Sequence, residues 1–207
     1  MIRIADLFCC GGGAAAGLRT ALPECEIVGV DFMPQPRYPY TFILGDVRNL
    51  PMKLQDFDLI WASPPCQKFS RLNNCRKRDY PDLIPFTRKL LKRTGRPYVI
   101  ENVPGAPLIN PLVLSGNMFN LGVYRTRHFE ISGFRVCQPL RKEKNGSVKS
   151  GKYVTVCGHG SIRDGSTKKW KRAMGVDWLT LRELTQCVPP AYSRYIGDYY
   201  ALSRGNG

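Results

Sequence analysis

Along the first hundred residues, short apolar runs alternate with amphipathic stretches. IRIADLF (2–8) is an apolar run that stops at glycines 11–13, and AAAGLRTAL (14–22) behind it reads as a helix. EIVGVD (26–31), TFILGD (41–46), DLIWAS (58–63) and PYVIEN (97–102) are further buried strand-like runs. DLIPFTRKLLKRTG (82–95) spaces Leu83, Phe86, Leu90 and Leu91 near a 3.6-residue period and ends on glycine, which predicts a helix. Short apolar strands divided by helices and glycine turns must be covered on both faces. The pattern therefore predicts an α/β fold, a mostly parallel sheet with helices on both sides.

Beyond residue 103 the pattern loosens. RTRHFEI (125–131) alternates like a strand and would set Arg125 and Arg127 on one face. LTLRELTQCV (179–188) and PPAYSRYIGDYYALS (189–203) read as helices, the second opened by proline. Between them and the strand, residues 135–172 hold eleven lysines and arginines against two acids. That stretch reads as a basic arm or hairpin rather than a second core. The organisation expected is one domain over 1–207, with a basic insertion at 132–178.

Composition sharpens this. With 207 residues the chain fits one domain with one sizeable core. Its net charge of +15 points to a polyanionic partner, nucleic acid being the commonest. No apolar run is long enough to span a bilayer and no secretory leader is evident, so an intracellular, cytoplasmic protein is expected. The eight cysteines form no CxxC pair, which disfavours a zinc ribbon. Cys157 and His159 are the nearest approach to a metal pair, and no metal is expected.

Ligands of open parallel sheets bind at the carboxyl ends of the strands, and the residues with chemical interest sit there. Gly11, Gly12 and Gly13 follow the first run, where glycine permits positive φ and close approach. Asp31 ends the second run, placed to accept from ribose hydroxyls, and Asp46 ends the third, placed to take an adenine amine. The two acids suggest a nucleoside-containing cofactor with no phosphate requirement; no GxGxxG or GxxxxGK[ST] occurs, so ATP hydrolysis has no support. Cys66 follows the fourth run on a Pro64-Pro65 turn. A free thiol is only about 3% thiolate at pH 7. Lys68, Arg71, Arg76, Lys77 and Arg78 nearby would favour the thiolate or, with Gln67 and Ser70, hold a nucleic acid backbone. Glu101 ends the fifth run, where a buried carboxyl must be hydrogen-bonded or protonated, and when protonated donates to a ring nitrogen.

Taken in order, DLFCCGGG, SPPCQKFS, VIENV and RTR resemble the cytosine-C5 DNA methyltransferase family over roughly residues 3–131, and the C-terminal segment resembles the ending of short, phage-type members. The resemblance implies a Rossmann-like fold dependent on S-adenosylmethionine, held by Phe8, Cys9, Cys10, Gly11, Gly12, Gly13, Asp31, Asp46 and Pro64. It implies a cytosine flipped from double-stranded DNA. Cys66 would attack C6, Glu101 would bond N3, Arg127 would hold the base carbonyl and Arg125 would support the glutamate. Attack on C6 needs both the nucleophile and polarisation at N3, because C6 is a poor electrophile.

The chain departs from the family pattern in several places. Cys10 stands where glycine is usual, and Val123 where the QxRxR motif has glutamine. The Asn-containing C-terminal motif is not evident. Only about fifty residues separate Phe129 from the terminal helices, too few for a large target-recognition region. A minimal, monomeric enzyme of short or relaxed specificity is expected, with Lys168, Lys169 and Arg172 of the arm contacting phosphates. The same chemistry on RNA or a free nucleotide, and an inactive nucleic-acid-binding homologue, stay open from sequence.

Overall fold

A computed structural model of the chain describes residues 1–70, 78–140, 146–156 and 165–205. Among these, seven strands form one sheet in the order β3-β2-β1-β4-β5-β7-β6. They are β1 (Arg3–Leu7), β2 (Glu26–Asp31), β3 (Thr41–Leu44), β4 (Leu59–Ala62), β5 (Tyr98–Asn102), β6 (Leu112–Leu114) and β7 (Arg127–Ser132). The pairings among β1 to β5 are parallel, while β7 runs antiparallel to both β5 and β6. The switch of direction occurs where chain order reverses at β1, so the ends of β1, β2 and β4 open onto one crevice.

The expected strands and helices are present, each within a few residues of its predicted bounds. Helix α1 (Gly13–Ala21) begins directly after Gly12, whose φ of 80° lies in the left-handed region. Helix α2 (Ile84–Thr94) has proline in its first turn and stops at Gly95, also left-handed. β1 and β4 are buried over nearly their whole length, as covered parallel strands must be. One face of the sheet packs Ile4, Trp61, Val99 and Phe129 against α1 and the C-terminal helix α5 (Pro190–Gly205), through Leu18, Tyr192 and Ile196. The other face packs Leu7, Val30, Ile60 and Ile100 against Leu91 of α2 and the turns that carry Val47 and Leu54.

The basic arm is more than a hairpin. Val154, Val156, Trp170, Met174 and Val176 join Val123, Leu179 and Leu184 in a third apolar cluster. Helix α3 (Thr167–Met174), capped by the Ser166 side chain, turns Trp170, Ala173 and Met174 inward and leaves Lys168 and Arg172 exposed. The expectation of an arm without a core is corrected by this cluster. Val123 is fully buried in it and bridges to Val154, which gives the departure from glutamine a packing reason. No helix among the described residues is long and apolar enough to cross a membrane.

Candidate active site

The loops that follow β1, β2 and β4, together with the end of β5, enclose a cavity of about 530 Å³. That is within the usual range for small-molecule and cofactor sites. Its remaining wall is the short helix α4 (Leu181–Gln186) and the residues just after it. A capping box fixes the start of α4: Glu183 Oε2 accepts from the Thr180 backbone N–H, and the Thr180 hydroxyl accepts from the Glu183 N–H. The Arg37–Glu183 ion pair at 3.1 Å ties this wall to the loop after β2.

Phe8, Cys9, Cys10, Gly13, Asp31, Pro64, Cys66, Gln67, Glu101 and Arg127 all border the cavity. Asp31 is buried and accepts from the backbone N–H groups of Cys10 and Met33, each at 3.0 Å, so it shapes the glycine loop as well as lining the cavity. Phe8 and Cys10 have φ of 56° and 45°. That left-handed backbone explains why glycine would suit position 10.

The glycines answer to packing more than to a ligand. A Cβ at Gly13 would overlap the Cys187 sulfur and the Val188 carbonyl, and one at Gly11 would overlap Leu179. Trp178 Nε1 donates to the Gly11 carbonyl at 2.9 Å. Gly11 and Gly12 do not border the cavity; they let the C-terminal segment close against the loop. Asp46 is also displaced from its expected role. It caps a short turn, and the Arg48 side chain grips both its oxygens at 2.6–3.0 Å while the Arg48 N–H takes Oδ1 at 2.8 Å. The Arg48 guanidinium holds its carboxyl below the usual range, and the residue lies off the cavity wall.

At the chemical end, Cys66 sits just behind Pro64 and Pro65, half-buried. Burial, and then the neighbouring Glu101, push its thiol up; Arg127 and Arg125 oppose this. Among the described residues, the cations that favour the thiolate are Arg127 and Arg125, at and just before the start of β7. Glu101 is 6% exposed. Burial raises its pKa although Arg127, Arg125 and the Ser63 hydroxyl all favour the charged form. Arg127 Nε pairs with Glu101 Oε1 at 2.9 Å.

Arg125 is not the glutamate's hydrogen-bonding partner. β7 begins only at Arg127, so the two arginines do not share a strand face. The Arg125 guanidinium donates instead to the carbonyls of Val156 and Thr185, both at 2.7 Å. Lys68, Lys168 and Arg172 are exposed, Arg78 is exposed, Ser70 is half-buried, and Lys169 Nζ donates to the Gly151 carbonyl at 2.7 Å. None of these borders the cavity. Arg71, Arg76 and Lys77, like Cys157 and His159, lie outside the described residues.

Four further residues belong to the site. Asp6 is 1% exposed, borders the cavity and accepts from the Tyr38 hydroxyl at 3.1 Å. Burial drives its carboxyl well above the ordinary range, Tyr38 opposes this and Asp31 adds to it. Asn102 donates from Nδ2 to the Pro64 carbonyl at 2.9 Å and so holds the proline turn. Glu183 and Arg182 come from α4. An acid inside a buried strand was a signal for Asp6; no local signal marked α4 as a cavity wall.

In a chain of net charge +15, the cavity carries four carboxyl groups, Asp6, Asp31, Glu101 and Glu183, against two guanidiniums, Arg127 and Arg182. Burial pushes the Asp6 and Glu101 carboxyls towards the neutral form, so the cavity offers hydrogen-bonding groups rather than a phosphate-binding cluster of cations. Fold and cavity together define a Rossmann-like S-adenosylmethionine-dependent methyltransferase. Residues 2–108 match the family model for C-5 cytosine-specific DNA methylase, and the chain belongs to that family. The family's methyl donor is S-adenosylmethionine.

Among solved structures, the chain is similar to an S. pombe Dnmt2 methyltransferase (14% identity, TM-score 0.65, all of both chains covered). It is similar to a Spodoptera frugiperda DNMT2 mutant (13%, 0.65, 95% of this chain and 98% of that one). It is also similar to the Entamoeba histolytica methyltransferase EhMeth (12%, 0.64, 99% of each). At such identities the likeness is one of fold. No curated protein sequence matches the chain.

Proposed function

We propose that the chain methylates C5 of cytosine in double-stranded DNA through a transient bond between Cys66 and C6 of a flipped base. The observation that carries this reading is the shared cavity of Cys66 and the Glu101–Arg127 pair. A nucleophile and a carboxyl whose pKa burial raises face one space, which suits attack on a pyrimidine ring.

The residues divide the work as follows. Cys66 loses its proton as it attacks C6. Glu101, its carboxyl pushed up by burial, donates to N3 in its protonated form and draws electron density from the ring. Arg127 fixes the glutamate through Nε, and other donors of its fork meet the base carbonyl. Asp31, Phe8, Cys9, Cys10 and Gly13 would hold the nucleoside part of the cofactor, and Glu183 would supply negative charge towards its cationic centre. Bound S-adenosylmethionine supplies the electrophilic methyl group that C5 takes up. A base then removes the C5 proton and Cys66 leaves C6.

The exposed lysines and arginines of the arm, Lys168 and Arg172 among them, bind phosphates. Such contacts fix position but read little sequence, so specificity is short or relaxed.

The test is trapping on duplex DNA carrying 5-fluorocytosine, whose C5 cannot release a proton. A denaturation-resistant protein–DNA adduct is expected with the native chain and none with Cys66→Ala. Parallel reactions with labelled S-adenosylmethionine on duplex DNA, RNA and dCMP should label the duplex. Labelling of RNA alone would overturn the DNA assignment.

A further inference from the structure

Arg125 is 4% exposed, and among the described residues no carboxylate lies within ion-pair distance of its guanidinium. A buried cation without a counter-ion is costly, so its geometry needs a reason. One Nη donates to Val156 O and the other to Thr185 O, each at 2.7 Å, while Nε has no hydrogen-bond partner. Its own carbonyl accepts from the fully buried Tyr192 hydroxyl at 2.6 Å. Thr185 belongs to α4, the fourth wall of the cofactor cavity. Val156 belongs to the basic arm, and its φ of 42° is strained for a β-branched residue. Two residues on, Arg127 opens β7 and holds Glu101. One planar fork therefore joins the arm to the cofactor wall, from a residue two positions before the base-binding strand.

We propose that Arg125 is a positioning residue that couples nucleic acid binding on the arm to cofactor binding in the cavity. The proposal rests on the function proposed above and deepens it. Each partner, when bound, orders one end of the tie and lowers the cost of ordering the other. Coupling of this kind is reciprocal, so the effect is readable from either ligand. The role depends on the fork, because a point charge cannot hold two carbonyls in one plane.

The test titrates S-adenosylhomocysteine by calorimetry, with and without saturating duplex DNA, against the native chain, Arg125→Lys and Tyr192→Phe. In the native chain the duplex should tighten cofactor-product binding by roughly fivefold or more. Arg125→Lys keeps the positive charge beside Glu101 and Cys66, so the pH profile of Cys66 alkylation should match native. Its coupling factor should fall towards one. Tyr192→Phe keeps the guanidinium but frees its backbone, and should lower the factor part of the way. Native-like coupling in Arg125→Lys would overturn the proposal. If that variant does not fold, unchanged coupling in Tyr192→Phe overturns it instead. Absence of coupling in the native chain sinks it as well. A native chain that binds no S-adenosylhomocysteine at all would instead count against the proposed function, and the two failures are distinguishable.

Discussion

Asn102 Nδ2 donates to the carbonyl of Pro64 at 2.9 Å, so the end of β5 holds the turn that presents Cys66. Asn102 Oδ1 accepts from the Val103 N–H, and the side chain is 1% exposed. Glu101 and Cys66 are thus placed by one another's neighbours: the residue after the glutamate fixes the loop before the cysteine. Prolines alone stiffen that turn but do not aim it.

Asn102→Ala removes both bonds and leaves the Val103 N–H and Pro64 carbonyl without partners. Unsatisfied buried groups cost about 1–3 kcal/mol. We expect that loss in chemical denaturation. Single-turnover methyl transfer should slow by about 10–100-fold, as misplacing a reacting group does. The apparent affinity for S-adenosylmethionine should change little, because Asn102 does not border the cavity. A loss confined to cofactor affinity would contradict this placement.

Gly13 separates two explanations of the glycine loop. If glycine serves only close approach by a ligand, Gly13→Ala weakens cofactor binding and leaves stability intact. The structure puts the new methyl group into the Cys187 sulfur and Val188 carbonyl. Overpacking of this kind costs about 1–3 kcal/mol. A lowered thermal midpoint without any cofactor present is the expected result. By contrast, Cys10→Gly relieves a left-handed non-glycine residue, worth about 1–2 kcal/mol, while glycine adds about 0.5–1 kcal/mol of unfolded-state entropy. Its stability should stay within about 1 kcal/mol of native.

Asp6 predicts a pH dependence. Its carboxyl is well above the ordinary range when folded, because burial opposes the charge. Between the unfolded pKa, about 3.9, and the folded one, the native state holds a proton that the unfolded state has lost. Native stability from this group is therefore full below about pH 3.9 and falls as pH rises through that window. Asp6→Asn removes the loss while keeping an oxygen to accept from Tyr38. Asp6→Asn should match native near pH 4 and exceed it at neutral pH, measured by denaturant titration across that range. A constant difference would show that Asp6 does not change protonation on folding.

The sheet was legible because buried parallel strands are short, apolar and punctuated by glycine, and the site because its residues end those strands. β6 has three residues, too few for a period to show. Helix α3 hides in a basic run: three buried residues, Trp170, Ala173 and Met174, are all that mark its inner face. The work of the glycines depends on Leu179, Cys187 and Val188, far away in sequence, so local reading assigned it to a ligand. Asp46 was misread although the signal was present, since Arg48 lies two residues on and grips the carboxylate. Arg125 left no signal of its kind, because its partners are main-chain carbonyls. Glu101 and Cys66 stood out because a buried acid and a proline-flanked cysteine are costly or unusual without a task, and both line the cavity.

Salt dependence tests the arm. If it binds phosphates, log affinity for duplex DNA falls linearly with log salt, with a slope near −0.9 for each phosphate neutralised. Lys168 is exposed on α3 and contributes a charge to the solvent-facing side of that helix. Lys168→Gln should reduce the slope by about one such unit and leave thermal stability unchanged. Lys169 sits one residue on, but its Nζ is already donated to the Gly151 carbonyl at 2.7 Å. That bond fixes the ammonium against the arm and takes one of its three donors. Lys169→Gln should therefore change the slope less than Lys168→Gln and lower stability by about 1 kcal/mol, the net value of one hydrogen bond. Filter binding across a salt series, with melting curves of the same proteins, separates the two lysines. Equal slopes in both variants and the native chain would remove the arm from the DNA interface.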